Sequence, residues 1–230
     1  MESHLLNLSP EQRRAVLSQK IVDSAVVVDA KKGYILCKEI NHTVNFALLK
    51  EAAFLTNTLF LQKIPYSQRP QKIIGIPNRG KEFALALGLT TNSNLLQGPV
   101  TERFQEENKN FNHHIRIFYE EEKDMLTITG IPSFTKPGVI FTHTIRGLKP
   151  GVDKNVLIAD DFAATGTVSR IYCRMLKSVG IEPYFVFLAA KDFPDFTPPQ
   201  IGLRKLSEEA PAFALVRFTG IKNGKVVVEV

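Results

Sequence analysis

The stretch Asn155–Val168, NVLIADDFAATGTV, constrains this chain more than any other, because an apolar run, two acids and a loop of small residues follow without a gap. Val156 to Ala159 is short, continuous and apolar, the pattern of a strand buried on both faces of a parallel sheet. After the loop, Val168, Ile171, Tyr172, Met175, Leu176 and Val179 recur at helical spacing, and Gly180 stands where a C-terminal glycine belongs. The predicted order is strand, acids, tight loop, helix.

A loop of this kind presents unpaired backbone N–H groups at the positive end of a helix, which is a seat for a phosphate. Ala163, Ala164 and Gly166 keep bulk away from it, and the hydroxyls of Thr165 and Thr167 are donors beside it. Asp160 and Asp161 would repel a phosphate, so they suit neutral hydroxyls or a hydrated cation. A diol and a phosphate on one ligand describe a sugar phosphate.

Val156 to Val168 resembles the 5-phosphoribosyl-1-pyrophosphate (PRPP) signature of type I phosphoribosyltransferases: a hydrophobic run, two acids, then an Ala-Thr-Gly-Thr loop. The resemblance implies an α/β fold, a Rossmann-like parallel sheet flanked by helices, with a β-hairpin lid and a small hood formed by the N- and C-terminal segments. It implies an enzyme, a pentosyltransferase, in which Asp160 and Asp161 hold the ribose 2- and 3-hydroxyls. The 5-phosphate would sit on Ala163, Ala164, Thr165, Gly166, Thr167 and Val168. Mg²⁺ would arrive with PRPP, with water linking it to Asp160 or Asp161, and a homodimer is the usual state in that family.

The same architecture recurs upstream. Ile73 to Ile76 reads as a second buried strand, Pro77-Asn78-Arg79-Gly80 as a second tight loop, and Phe83, Ala84, Leu87 and Leu89 as one face of a helix. In open parallel sheets, loops at the carboxyl ends of strands meet where the strand order reverses, so the two anion loops would face one substrate. PRPP carries an anion at each end, and the resemblance puts its pyrophosphate on Asn78, Arg79 and Gly80.

Around these motifs the chain of 230 residues reads as one domain. Ser9-Pro10-Glu11-Gln12 carries a capping box and predicts a short surface helix. Ala25 to Asp29 and Tyr34 to Cys37 are strand-like around a Lys31-Lys32-Gly33 turn. Asn41 precedes a helix with Val44, Ala47, Leu48, Ala52, Leu55 and Leu59 on one face. It is either the cap of that helix or, since Ile35–His42 resembles the opening segment of xanthine phosphoribosyltransferases, a contact to the purine.

Residues 98–145 predict an excursion, with Ile115–Tyr119 and Met125–Thr129 as a hairpin and Val139–Ile145 as a strand. A transfer that must avoid water needs a cover, and Ser133-Phe134-Thr135-Lys136 resembles a lid piece of the xanthine enzymes, implicating Lys136. Tyr184 to Ala190 is another continuous apolar strand, with Lys191 and Phe193 at its carboxyl end. Lys191 is either a strand-end lysine reaching for water or, by resemblance to the 6-oxopurine and xanthine transferases, the reader of the base, with Phe193 or Phe196 stacking on it. Leu203 to Ala210 predicts a short helix, and the tail around Asn223-Gly224 a hairpin like the ending of the xanthine enzymes. Residues 1–45 and 191–230 are the expected hood.

The expected reaction is Mg²⁺-dependent transfer of the phosphoribosyl group of PRPP to a purine, with xanthine or another 6-oxopurine favoured, in purine salvage. The alternatives are adenine or orotate as acceptor, or a PRPP-sensing regulator without chemistry. The formal charge of +6 comes without a Lys/Arg block or aromatic-basic interleaving, so it fits polyanionic small substrates and not nucleic acid. Two cysteines far apart point to a reducing cytoplasm, and no signal-peptide pattern or spanning apolar run points to a membrane.

Overall fold

The computed structural model describes residues 7–41, 45–77, 79–96, 99–105, 115–132, 139–197 and 199–229; the side chains of 41, 103–105 and 132 are outside this description. Asn78 and Lys136, both named above, also lie outside the described residues.

Chain entry is fixed by the capping box. Ser9 N donates to Gln12 Oε1 at 2.9 Å and Gln12 N to Ser9 Oγ at 3.3 Å. The helix that follows, α1 (Pro10–Asp23), is longer than a surface piece because Leu17 and Ile21 reach the core. Arg13 clamps it to Glu51 of α3 (Phe46–Leu59). Between them, β1 (Ala25–Asp29) and β2 (Tyr34–Cys37) form the expected antiparallel pair, and a single turn, α2 (Lys38–Asn41), follows. The cap of α3 is Asn45, whose Oδ1 accepts from Leu48 N at 3.1 Å. Asn41 instead ends α2, so its capping alternative is not realised.

The main sheet has the order β12-β11-β10-β9-β3-β4. Its members are β3 (Lys72–Gly75), β4 (Asn94–Leu95), β9 (Asn155–Ala163), β10 (Glu182–Lys191), β11 (Ala212–Lys222) and β12 (Lys225–Glu229). All pair in parallel except the last, which turns back on β11. The hairpin at Asn223-Gly224 is as expected, with both residues at positive φ (+50° and +71°). It does not form a separate hood, however: β11 hydrogen-bonds along β10, so the tail extends the sheet.

One face of this sheet is covered by α1, α3 and α4 (Gly80–Thr91), through Leu48, Leu55, Phe83 and Leu87 against Leu157, Val186 and Leu188. The other face carries α5 (Thr167–Ser178) and α6 (Gly202–Ser207), through Ile171, Tyr172, Met175 and Leu206 against Ile158, Phe185 and Phe187. Each fully buried side chain of this size contributes about 1.5–3 kcal/mol. Helix α5 ends as its sequence predicts, with Gly180 at φ +77°.

The excursion is a sheet of its own and not a single hairpin. Strands β5 (Val100–Gln105), β6 (Arg116–Glu120), β7 (Met125–Pro132) and β8 (Val139–Arg146) pair antiparallel in the order β5-β8-β7-β6. Leu126, Ile128, Ile131 and Ile145 pack into the core that holds α5. A buried bond between His143 of β8 and Tyr172 of α5 (Nδ1 to hydroxyl, 2.8 Å) ties the two layers.

Candidate active site

Strands β3 and β9 are neighbours, yet the chain leaves β3 toward β4 on one side and β9 toward β10 and β11 on the other. That reversal is where ligands bind at the carboxyl ends of parallel strands. Both predicted loops stand there. Strand β9 is longer than expected: its pairing with β10 runs through Asp160 and Phe162 to Ala163, so the two acids lie within the strand.

Gly80 is explained by a close approach. A side-chain carbon on it would lie 2.4 Å from Ala159 O and 2.9 Å from Asp160 Cα. Glycine alone lets the start of α4 press on the strand that carries the acids. Ile76 N donates to the same Ala159 O at 2.8 Å, which extends the β3–β9 ladder to the loop. Arg79, the residue before α4, donates from Nη1 to Ile40 O at 3.0 Å.

The phosphate-type loop takes its shape from two glycines. Gly166 precedes α5 at φ +71°, and no side chain caps that helix start. The backbone of Gly202 closes the loop from behind: Gly202 N donates to Ala164 O at 2.8 Å, and a carbon on Gly202 would lie 2.4 Å from Gly166 N. Thr165 Oγ1 and Thr167 Oγ1 are 3.2 Å apart, beside the same turn. Sequence reasoning missed Gly202, because its contact is made across 36 positions of chain to Gly166 and only its residue type hints at it.

Burial pushes both carboxylic acids up. For Asp160 the rise is large, from burial first and the adjacent Asp161 charge second. Asp161 rises by burial but is held back by hydrogen bonding with Asp160 and by the Arg79 charge. Asp161 N also donates to Asp160 Oδ1 at 2.9 Å. The pair therefore retains a proton readily, the state expected of two like charges side by side.

Beside Asp161 lies a narrow pocket lined by Glu39, Ile40, Asn45, Leu49, Arg79, Glu82, Asp161 and Leu188. Its free space, about 20 Å³, is that of one water or one amino group. Three of its side chains are acids. Glu39 is engaged, since Asn45 Nδ2 donates to its Oε2 at 2.6 Å. Glu82 was not singled out from sequence, although it follows the Arg79-Gly80 loop by two positions.

Lys191 and Phe193 do not line this pocket. Lys191 is 6% exposed and donates from Nζ to Gly33 O at 2.7 Å, with the Phe162 ring 5.4 Å away. Burial pushes its ammonium down to about 8. Phe193, 1% exposed, packs on Phe196 with ring centroids 5.0 Å apart. Together they fasten the β1–β2 turn over the carboxyl end of the sheet.

The parallel sheet, the acid pair on β9, the paired loops at the reversal and the covering sheet make this the type I phosphoribosyltransferase fold. Solved structures that share it include three adenine phosphoribosyltransferases. The enzyme from Rhodothermus marinus is 16% identical over 88% of this chain and 99% of that one, with a TM-score of 0.53. The enzyme from Saccharomyces cerevisiae, complexed with an imino-altritol bisphosphate and adenine, is 17% identical over 87% and 99%, at 0.54. The Trypanosoma brucei enzyme, in complex with AMP, pyrophosphate and ribose 5-phosphate, is 14% identical over 87% and 79%, at 0.55. No protein-family model matches the sequence, and no curated protein matches it.

Proposed function

We propose that this protein is a phosphoribosyltransferase that moves the phosphoribosyl group of PRPP to a purine base, with adenine favoured, giving AMP and pyrophosphate. The observation that carries the reading is the place of Asp160 and Asp161, between two helix-start loops at the reversal of a parallel sheet. One loop suits the 5-phosphate, the other the pyrophosphate, and the acids between them suit the ribose hydroxyls.

The base preference changes from the 6-oxopurine expected above. A 6-oxo group needs a donor, and Lys191, the candidate for it, donates to Gly33 O and does not line the pocket. The pocket offers acceptors in Glu39 and Glu82, which suit the amino group of adenine. The neighbours of like fold are adenine enzymes, which supports the same choice.

In this reaction the bond from the anomeric carbon to the pyrophosphate oxygen breaks and a bond to a ring nitrogen of the base forms, with release of that nitrogen's proton. Charge builds on the leaving group and on the ribose. Arg79 and the backbone of its loop would hold the leaving pyrophosphate. Asp160 and Asp161 would orient the ribose through its hydroxyls and set negative potential near the carbon that becomes positive. Lys191 and Phe193 would act by holding the β1–β2 turn. No group of three or more His, Cys, Asp or Glu side chains forms a metal cage among the described residues. The adjacent carboxylates of Asp160 and Asp161 would hold a Mg²⁺ brought by the substrate. Held there, Mg²⁺ would supply charge neutralisation on the pyrophosphate.

Purine salvage in the cytoplasm, by a homodimer, is part of the same proposal. No helix among the described residues is long and apolar enough to cross a membrane. The test is pyrophosphate release from PRPP and Mg²⁺ with adenine, hypoxanthine, guanine, xanthine and orotate offered separately. Turnover with adenine in preference to the others is expected. PRPP binding without turnover on any base would replace the enzyme with a PRPP-sensing regulator.

A further inference from the structure

Among the described residues, four side-chain polar atoms are buried without a hydrogen-bond partner: Ser18 Oγ, Thr56 Oγ1, Arg217 Nε and Glu82 Oε2. Ser18 and Thr56 are neutral hydroxyls within helices, and Arg217 is held through its other nitrogens by Asp192 and Glu229. Glu82 is different: it is an ionisable acceptor that makes no hydrogen bond and no ion pair among the described residues. A buried acceptor without a donor is costly, and native proteins keep one where function or a bound partner explains it.

Its position in α4 does not explain it. Glu82 is the third residue of that helix, where the dipole favours a carboxylate, but the dipole does not require one oxygen to be shut from water. The pocket neighbours leave it unsatisfied. Glu39 takes the Asn45 amide, and the Arg79 guanidinium donates to Ile40 O. The pocket that Glu82 lines has room for one small donor group beside its walls. An exocyclic amino group has that size and carries two N–H bonds.

We propose that Glu82 is the specificity-determining acceptor of this site, taking a hydrogen bond from the 6-amino group of a purine and repelling a 6-oxo group in its place. This rests on the pocket being the base site. Discrimination follows from the unpaired oxygen: an amine relieves it, whereas a carbonyl oxygen facing it would leave two acceptors opposed. The step is binding alone and needs no further reactant.

The test is calorimetric titration of the wild type and Glu82→Gln with AMP, IMP and ribose 5-phosphate. The wild type is expected to bind AMP more tightly than IMP. In Glu82→Gln, AMP affinity falls about 10- to 100-fold, the range of a hydrogen bond to a charged group, and IMP affinity holds or rises because the amide can donate. Unchanged ribose 5-phosphate affinity marks the variant as folded and its sugar site as intact. The proposal is overturned by an AMP-to-IMP ratio equal in the two proteins, by an equal loss of both nucleotides, or by a wild type that binds neither. Product binding does not require turnover, so a catalytically silent wild type would refute the transferase reading and still leave this comparison decisive.

Discussion

Gly202→Ala is the sharpest test of how the phosphate loop is built. The added carbon would meet Gly166 N at 2.4 Å, Ala164 O at 2.7 Å and Thr165 C at 2.7 Å. All three are backbone atoms, so no side chain can swing aside, and the loop or α6 must retreat by about 1 Å to restore ordinary contact. That retreat breaks the bond from Gly202 N to Ala164 O, worth roughly 0.5–1.5 kcal/mol, and overpacking adds about 1–3 kcal/mol. Bonds from backbone N–H groups to a phosphate are charge-assisted, roughly 1.5–3 kcal/mol each, so spoiling one lowers affinity about 10- to 100-fold. Ribose 5-phosphate titration and urea unfolding read the two effects separately. Gly220→Ala is the control, since a carbon there meets nothing within 4 Å. Ribose 5-phosphate affinity in Gly202→Ala within twofold of wild type, with an unchanged unfolding midpoint, would refute the account of the loop.

Three further outcomes follow from buried ionisable groups. Asp160→Asn removes one of two crowded carboxylates, so the ligand-free protein should melt at higher temperature while PRPP binding weakens about 10-fold or more; a variant both less stable and fully able to bind would contradict this. Lys191 titrates at about 8 when folded against 10.5 when unfolded, so between those values the unfolded chain binds more protons and wild-type stability rises with pH. Lys191→Met should therefore lose its stability advantage over wild type by about 3 kcal/mol from pH 7 to pH 10.5, and a pH-independent difference in denaturant unfolding would sink the idea. His143 is pushed down to about 4 from 6.5 by burial and then by the Lys81 charge, so wild-type stability falls as pH drops through that window. His143→Gln should escape about 3 kcal/mol of that acid loss, and parallel pH profiles for the two proteins would count against it.

What the sequence made legible was local. The capping box at Ser9, the pair β1–β2, the turn at Asn223-Gly224 and the β9-loop-α5 unit each lie within about 25 consecutive residues, where one period or one turn residue signals the structure. Asp160, Asp161 and Gly166 were singled out by residue type and order, and Arg79 by the resemblance of its loop. The pairing of β5 with β8 was not found, since Val100–Gln105 is mostly polar and its partner comes after two intervening strands. Asn41 offered itself as a cap and Asn45 was not singled out, because the apolar face drawn from Val44 placed the helix start ahead of Asn45, whose side chain makes the cap.

Lys191 shows most clearly why site chemistry resists sequence reading. At the carboxyl end of β10 its ammonium has two physically reasonable partners, a substrate oxygen or a backbone carbonyl. The choice depends on whether Gly33, 158 positions away, is folded over it. Gly33 is placed by its own contacts, because a carbon there would strike Phe196 at 3.0 Å and Gln200 Nε2 at 2.9 Å, and Gln200 Nε2 in turn donates to Lys32 O at 2.6 Å. With the ammonium committed in this way, Lys191 is not among the residues that line the pocket. Glu82, which no spacing rule marks, then becomes the group whose partner the ligand must supply.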